Sequence, residues 1–461
     1  MNHFCSVLIV LYLAQGFVHG QESPWKAPNV SHRAHADPSN SNWWALYRDS
    51  ELNQLIASVD TSSPQIAGAL LRIEQARARM NGVRSALFPS LDGALTSRLD
   101  RYSAAVDNSF PSRNATELSV GIVASYEIDL WGRIRNTVSS ARSAMLAEKA
   151  IADSLRLSIQ AEITDAYLVL RGAEAELSVV NQVNYGRKIA LDLTEKRTTA
   201  GNLSDFELEQ VRADYASGLS EAAALSQIRM ELENLVALLA GKNATHYRLA
   251  QSGQLPRAPL IPSIIPGELL GRRPDIAASH RRIDAAFSEI KATEAGRYPT
   301  LKLEAGIGVT ADTIGNLDRN EAQEGMVGLR LTFPLIDLGG RQKARVDEAK
   351  FKYGEQEQLL TQQIFAAFSE AETALGKVHW SGKQSALAAQ SATSATRAAE
   401  LSMKRFESGN IDTFQFLQVS LTRLEASRKA VRARTAELRA SVALIRALGG
   451  GWTDARPNNA R

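Results

Sequence analysis

The sequence is poor in the residues that carry covalent or catalytic chemistry. Its one cysteine is Cys5, so the rest of the chain has no thiol for a disulfide, a thiolate metal site or a cysteine nucleophile. Beyond the N-terminal segment there is no run of about eighteen apolar residues, which excludes a membrane-spanning helix on length but leaves a β-barrel span open. Charge is nearly balanced, with a net of +3, so electrostatics makes no case for nucleic acid. His246, His280 and His379 are isolated, and His32 and His35 sit in a polar arm. With no Ser/His/Asp set, P-loop or paired carboxylates, neither an enzyme nor a metal or cofactor is expected. Proline is absent between Pro111 and Pro256, and again between Pro334 and Pro457.

What is present is a duplication. Ser125-Tyr-Glu-Ile-Asp-Leu-Trp-Gly-Arg133 returns as Phe333-Pro-Leu-Ile-Asp-Leu-Gly-Gly-Arg341, an offset of 208 residues between Ile128 and Ile336. At that offset Glu162 meets Glu370, Lys196-Arg197 meets Lys404-Arg405, Gly201-Asn202 meets Gly409-Asn410, Phe206 meets Phe414 and Gly241 meets Gly449. Upstream, Pro64 and Pro89 return as Pro274 and Pro299. One architecture is therefore built twice.

The boundaries follow. Residues 1–20 read as a signal peptide, with an apolar stretch from Phe4 to Ala14 and a cut near Gly20. Residues 21–63 form an arm and a short helix entered at Trp43-Trp44, 64–241 the first repeat, 242–273 a Pro-rich crossover, 274–449 the second repeat and 450–461 a tail. Within each repeat the hydrophobic period changes from about 3.6 to 2 and back. Strands are expected at about 91–101, 117–128, 300–310 and 325–334, each about the length that crosses a bilayer when tilted. Phe88, Tyr126, Trp131, Tyr298 and Phe333 gather at one end of them, as in an interfacial aromatic girdle; turn-flanking aromatics of a soluble sheet are the alternative.

Long helices follow each strand pair, roughly 65 residues from Gly132 and from Gly340, on the order of 100 Å. Heptad leucines mark their return partners: Leu208, Val211, Leu219, Ile228, Leu235, then Leu417, Leu424, Leu438, Ile445. Gly201 and Gly409 suit left-handed C-caps. Ser204-Asp-Phe-Glu207 and Asp412-Thr-Phe-Gln415 have capping-box form, so both tips read as αα-hairpins. Four strands cannot close a barrel, and open edges in lipid would leave backbone groups unpaired at several kcal/mol each. Copies of the chain ringed about one axis would close both the strands and the helical stripes.

With these pieces, and with Leu71-Arg-Ile-Glu-Gln-Ala-Arg77 and Arg273-Pro-Asp-Ile276, nearly all of Trp43 to Gly449 resembles the TolC-like outer membrane factors, in particular the NodT branch. The resemblance implies a mainly α fold with membrane β, a helix-strand-strand-helix-helix repeat, and a homotrimer. Its twelve-stranded outer membrane β-barrel stands on a long periplasmic α-helical barrel. It also implies an exit duct of a tripartite efflux pump, opened at its periplasmic tip by an adaptor protein and an inner membrane pump of the RND type. No acylated cysteine is expected after signal cleavage, which leaves the barrel to hold the chain among outer membrane lipid.

The resemblance further places adaptor docking at Arg197, Gly201, Arg405 and Gly409, although helix termination alone would explain the glycines. Relatives often carry acidic rings six and nine residues after the second tip glycine, positions held here by Gln415 and Gln418. An apolar and amide gate is expected instead: Phe414 as plug, Gln415 and Gln418 bonding across the axis, and Glu207 as either gate contact or helix cap. The competing reading packs Phe414 in the helix seam. A type I protein secretion duct and, in another class, a secreted coiled-coil scaffold are the alternative functions.

Overall fold

A computed structural model describes residues 42–101, 103, 105, 114–259, 271–333 and 339–450. The expected signal peptide, most of the arm with His32 and His35, Pro262, Pro266, Ile336 to Leu338 and the tail beyond 450 lie outside the described residues.

The elements in order are a 3₁₀ turn Trp43–Tyr47, then α1 Ser50–Ser62, α2 Pro64–Ser85, β1 Ser90–Arg101, β2 Asn114–Ile128, α3 Arg133–Thr199 and α4 Asp205–Leu239. The second repeat gives α5 Pro274–Ala295, β3 Thr300–Ala311, β4 Gln323–Thr332, α6 Arg341–Glu407 and α7 Thr413–Ala447. The duplication is kept to the residue: α3 and α6 are 67 residues each, α4 and α7 35 each. The entry at Trp43 is not the single helix that its pattern suggests. Arg48 turns left-handed with φ 53°, and Asp49 caps a fresh start by accepting from the N–H groups of Glu51 and Leu52 at 3.0 and 3.1 Å.

Two compact units emerge, a helical one (1–69, 151–277, 362–461) and a strand-bearing one (70–150, 278–361). The helical unit has an ordinary core. Trp43, Leu52 and Ile56 belong to one buried cluster with Ile163, Tyr167 and Leu170 of α3 and Leu438, Leu444 and Ile445 of α7. Each repeat also ends alike. Gly241 (φ 67°) and Gly449 (φ 87°) lie against the carbonyls of Ser62 and Arg272, two residues before the prolines that open α2 and α5. A Cβ there would meet backbone, so glycine is required by both space and φ.

Among the described residues, charges are buried only with partners. Arg171, 1% exposed, donates to Glu51, to Glu174 at 2.7 Å and to the Ala250 carbonyl at 2.6 Å. Arg229 bonds Glu174 and the Leu249 carbonyl at 2.9 Å each, and Glu233 accepts the Leu249 N–H at 2.7 Å. The start of the crossover is thereby fastened to α3 and α4. Burial disfavours the charged form of Glu174, but hydrogen bonds from Arg171 and the Ser252 N–H outweigh it and hold the carboxyl below the usual range. Glu176 is buried and held low in the same way by Arg432 and Arg428.

Candidate functional site

The strand-bearing unit contains one antiparallel sheet in the order β1-β2-β3-β4. Directly opposed residues in such a sheet share a face, so its register sorts the side chains. Leu91 opposes Ala124, and Leu95 opposes Val120. Val120, Ile122 and Ala124 oppose Val309, Ile307 and Ala305. Leu301, Leu303 and Ala305 oppose Leu331, Leu329 and Val327. All of these stand on one face. The other carries Asp92, Thr96, Arg98, Glu117, Ser119, Glu127, Lys302, Glu304, Thr310, Glu324 and Arg330.

Leu91, Leu95, Ile307, Val327 and Leu329 are all exposed. The polar face is laced by bonds instead: Arg330 pairs with Glu304 at 2.8 Å, and Thr310 donates to Glu324 at 2.7 Å. Gly121 and Gly308, opposed on this face, approach so closely that a Cβ on either would lie 2.9 or 2.6 Å from the other strand's carbonyl oxygen. The backbones therefore close in on the polar side. β1 and β4 each keep one unpaired edge in the single chain.

Beyond β2, Asp129 accepts the N–H groups of Ile134 and Arg135 at 3.1 and 2.9 Å, capping α3, while Gly132 turns at φ 79°. This accounts for the Asp-Leu-Trp-Gly-Arg motif. Trp131 stacks on Tyr298 with centroids 4.8 Å apart and donates to the Pro299 carbonyl at 2.8 Å. Phe88 and Phe333 are exposed and Tyr126 half-buried, all at the same strand ends.

The two turns of the helical unit share one backbone. Gly201 and Gly409 take φ 75° and 76°. Asn202 N–H reaches the Arg197 carbonyl, and Asn410 N–H the Arg405 carbonyl, each at 2.8 Å. These are Schellman caps. Ser204 and Glu207 then form a complete capping box. Its counterpart is only half made: Asp412 accepts the Gln415 N–H at 2.7 Å, but the Gln415 side chain does not return to the Asp412 N–H. The second box expected from sequence is therefore corrected to a simple N-cap, with the Gln415 amide left exposed.

Side chains at the tips divide less evenly. Phe416, not Phe414, enters the seam, stacking on Phe406 at 4.7 Å within a cluster with Ala190, Leu191, Leu208 and Val211. Phe414 is 61% exposed, and Gln418 is exposed as well. Arg197 folds onto the other hairpin. Its guanidinium donates to the carbonyls of Phe406 and Glu407 at 3.2 and 3.0 Å and lies 5.3 Å from the Phe406 ring. Arg405, its repeat mate, is exposed. Sequence reasoning missed this strap because a last-turn arginine reads as serving its own helix dipole. The heptad stripe is likewise only partly covered: Leu208, Val211, Leu424 and Leu438 are buried, while Leu219, Ile228, Leu235 and Leu421 are open in the single chain.

Open edges, a sheet with one apolar and one polar face, and helical stripes left half covered describe a piece of a ring. The family model described as "Outer membrane efflux protein" matches residues 55–241 and 265–450. The chain belongs to that family. Among its relatives are the pyoverdine export outer membrane protein OpmQ of Pseudomonas putida, 28% identical over 93% of this chain and 91% of that protein. OprJ of Pseudomonas aeruginosa is 28% identical over 90% and 87%. The OprN outer membrane channel has a TM-score of 0.82 at 25% identity, covering 94% of this chain and 98% of that one. The Campylobacter jejuni CmeC channel shares the fold with a TM-score of 0.82 at 20% identity. This family member is thus an outer membrane component of an efflux pump, a TolC-like channel with a periplasmic helical extension. It works as a trimer with an adaptor and an inner membrane pump. Three copies of a four-stranded sheet supply twelve strands.

Proposed function

We propose that the channel is the exit duct of an RND-type pump and carries small, amphiphilic toxic compounds from the periplasm to the outside. The observation that carries this reading is the sorting of the sheet. Closed by two further copies with the polar face inward, it makes a wet lumen and an apolar outer wall in contact with outer membrane lipid. Phe88, Tyr126, Trp131, Tyr298 and Phe333 then sit at one membrane interface, where half-exposed aromatics are stable. The names of the relatives, which include toluene and solvent efflux proteins, support small apolar cargo.

The gate in this reading is Phe414, whose ring blocks ions by dewetting, with the exposed Gln415 and Gln418 amides meeting across the axis. Glu207 serves as a cap, since its carboxylate already accepts the Ser204 N–H at 2.9 Å. The adaptor seats on the turns at Gly201 and Gly409 and on exposed Arg405, and Arg197 acts through the turn that it straps. The test is a strain lacking the protein, complemented by the intact chain, with susceptibility to toxic amphiphiles and the secreted proteins followed together. Complemented hypersensitivity with unchanged secretion is expected. Normal susceptibility with a missing secreted protein would overturn the reading in favour of protein secretion.

A further inference from the structure

The repeat places a second aromatic at the tip that corresponds to the proposed plug. Phe206 stands 208 residues before Phe414, and the local frames are equivalent. Each phenylalanine follows a glycine turn at φ 75° or 76°. Each is the second residue past an N-cap whose side chain accepts the next residue's N–H, Ser204 in one case and Asp412 in the other. Two residues on, the chain drops a buried anchor into the same cluster, Leu208 or Phe416. At about 100° per residue, a side chain two positions before a buried anchor points away from it. Phe206 accordingly is 70% exposed and Phe414 61%. No other position of the two tips repeats a large exposed ring.

We infer that Phe206 is a second gate residue, so that three copies of Phe206 alternate with three of Phe414 around the trimer axis. The inference rests on the gate reading of Phe414 given above and extends it from three rings to six. A constriction built of six phenyl faces stays dry and closed to small hydrated ions. Aromatic and apolar molecules pass it by exchanging one ring contact for the next. The site thus sets a preference for aromatic and apolar cargo at the periplasmic mouth, where neither amide of the gate would supply one.

The purified full-length trimer in planar bilayers tests this. Single-channel conductance is compared for wild type, F206A, F414A and the double variant, with trimer integrity followed on gels and adaptor cross-linking followed separately. F206A is expected to raise conductance at least about twofold, and the double variant to exceed either single one, because each removes part of a dewetted constriction. If F206A proves defective in trimer formation, F206Q carries the same test, since it keeps side-chain length at this exposed position while replacing the apolar ring with a group that water wets. Wild-type conductance in F206A with raised conductance in F414A overturns the inference and leaves the Phe414 gate standing. Unchanged conductance in both overturns the gate reading itself. Unchanged conductance in F206A with lost adaptor cross-linking assigns Phe206 to the docking surface and also overturns the inference.

Discussion

The sheet and the helical core of this chain are turned inside out with respect to each other. In the helical unit Trp43, Leu52, Ile163 and Leu438 are buried, and charges enter only with partners, as Arg171 does. In the sheet Leu91, Ile307 and Val327 are bare, while Asp92, Arg98, Glu117, Glu304 and Arg330 sit together on the opposite face. The same hydrophobic effect produces both patterns if the solvent differs as the proposed duct requires, with water around one unit and lipid against the apolar face of the other. The alternation that signals a half-buried strand in a soluble protein would, in the proposed duct, separate a lipid wall from an aqueous bore.

The largest effect should come from inverting the sheet. Val327→Lys puts a charge on the apolar face of every copy, at about 2–4 kcal/mol each near the bilayer midplane. Loss of the detergent-resistant trimer from outer membrane fractions is expected, while Thr96→Lys on the polar face assembles normally. The mirror-image insult in the helical unit is Arg171→Ala, which leaves Glu174 and Glu51 without their buried partner. A loss of about 3–5 kcal/mol is expected from breaking such a pair, read as a lower denaturant midpoint.

A pH titration sharpens the same contrast. Glu174, Glu176 and Asp275 are all held below their ordinary carboxylate range. Their contribution is complete above the unfolded values near pH 4 and is lost as pH falls through the depressed folded values. Thermal unfolding of the helical signal should therefore shift down as pH falls below about 4, well before strand signal is lost. The smallest effect is expected at the tip. Arg197→Ala removes a charged cap from the end of α6, about 0.3–1 kcal/mol, and should raise channel conductance slightly while sparing trimer formation.

Much of this was legible beforehand because local rules and global fold agree. The period change near Pro89 and Pro299 marked the strands, and the missing prolines marked the long helices. The tip glycines were readable because a left-handed residue is needed there. The network around Arg171 was not readable, since its partners Glu51, Glu174 and Arg229 and the carbonyl of Ala250 are brought together only by packing. Neither was the division of labour between Phe414 and Phe416, two positions apart on one helix, because it depends on where Phe406 and Leu208 come to lie. That Phe206 and Phe414 share one environment was readable from the offset of 208 residues between them, but not that this environment leaves both exposed.

The most direct test of the central claim, a sheet with lipid on one side and a bore on the other, is thiol labelling at adjacent residues of β4. Met326→Cys and Val327→Cys are placed singly in a chain with Cys5 replaced by serine, and the assembled trimer in membranes is treated with a membrane-impermeant maleimide. The account predicts labelling at 326, on the polar face, and protection at 327. Equal labelling at both, or protection at 326 with labelling at 327, would contradict it.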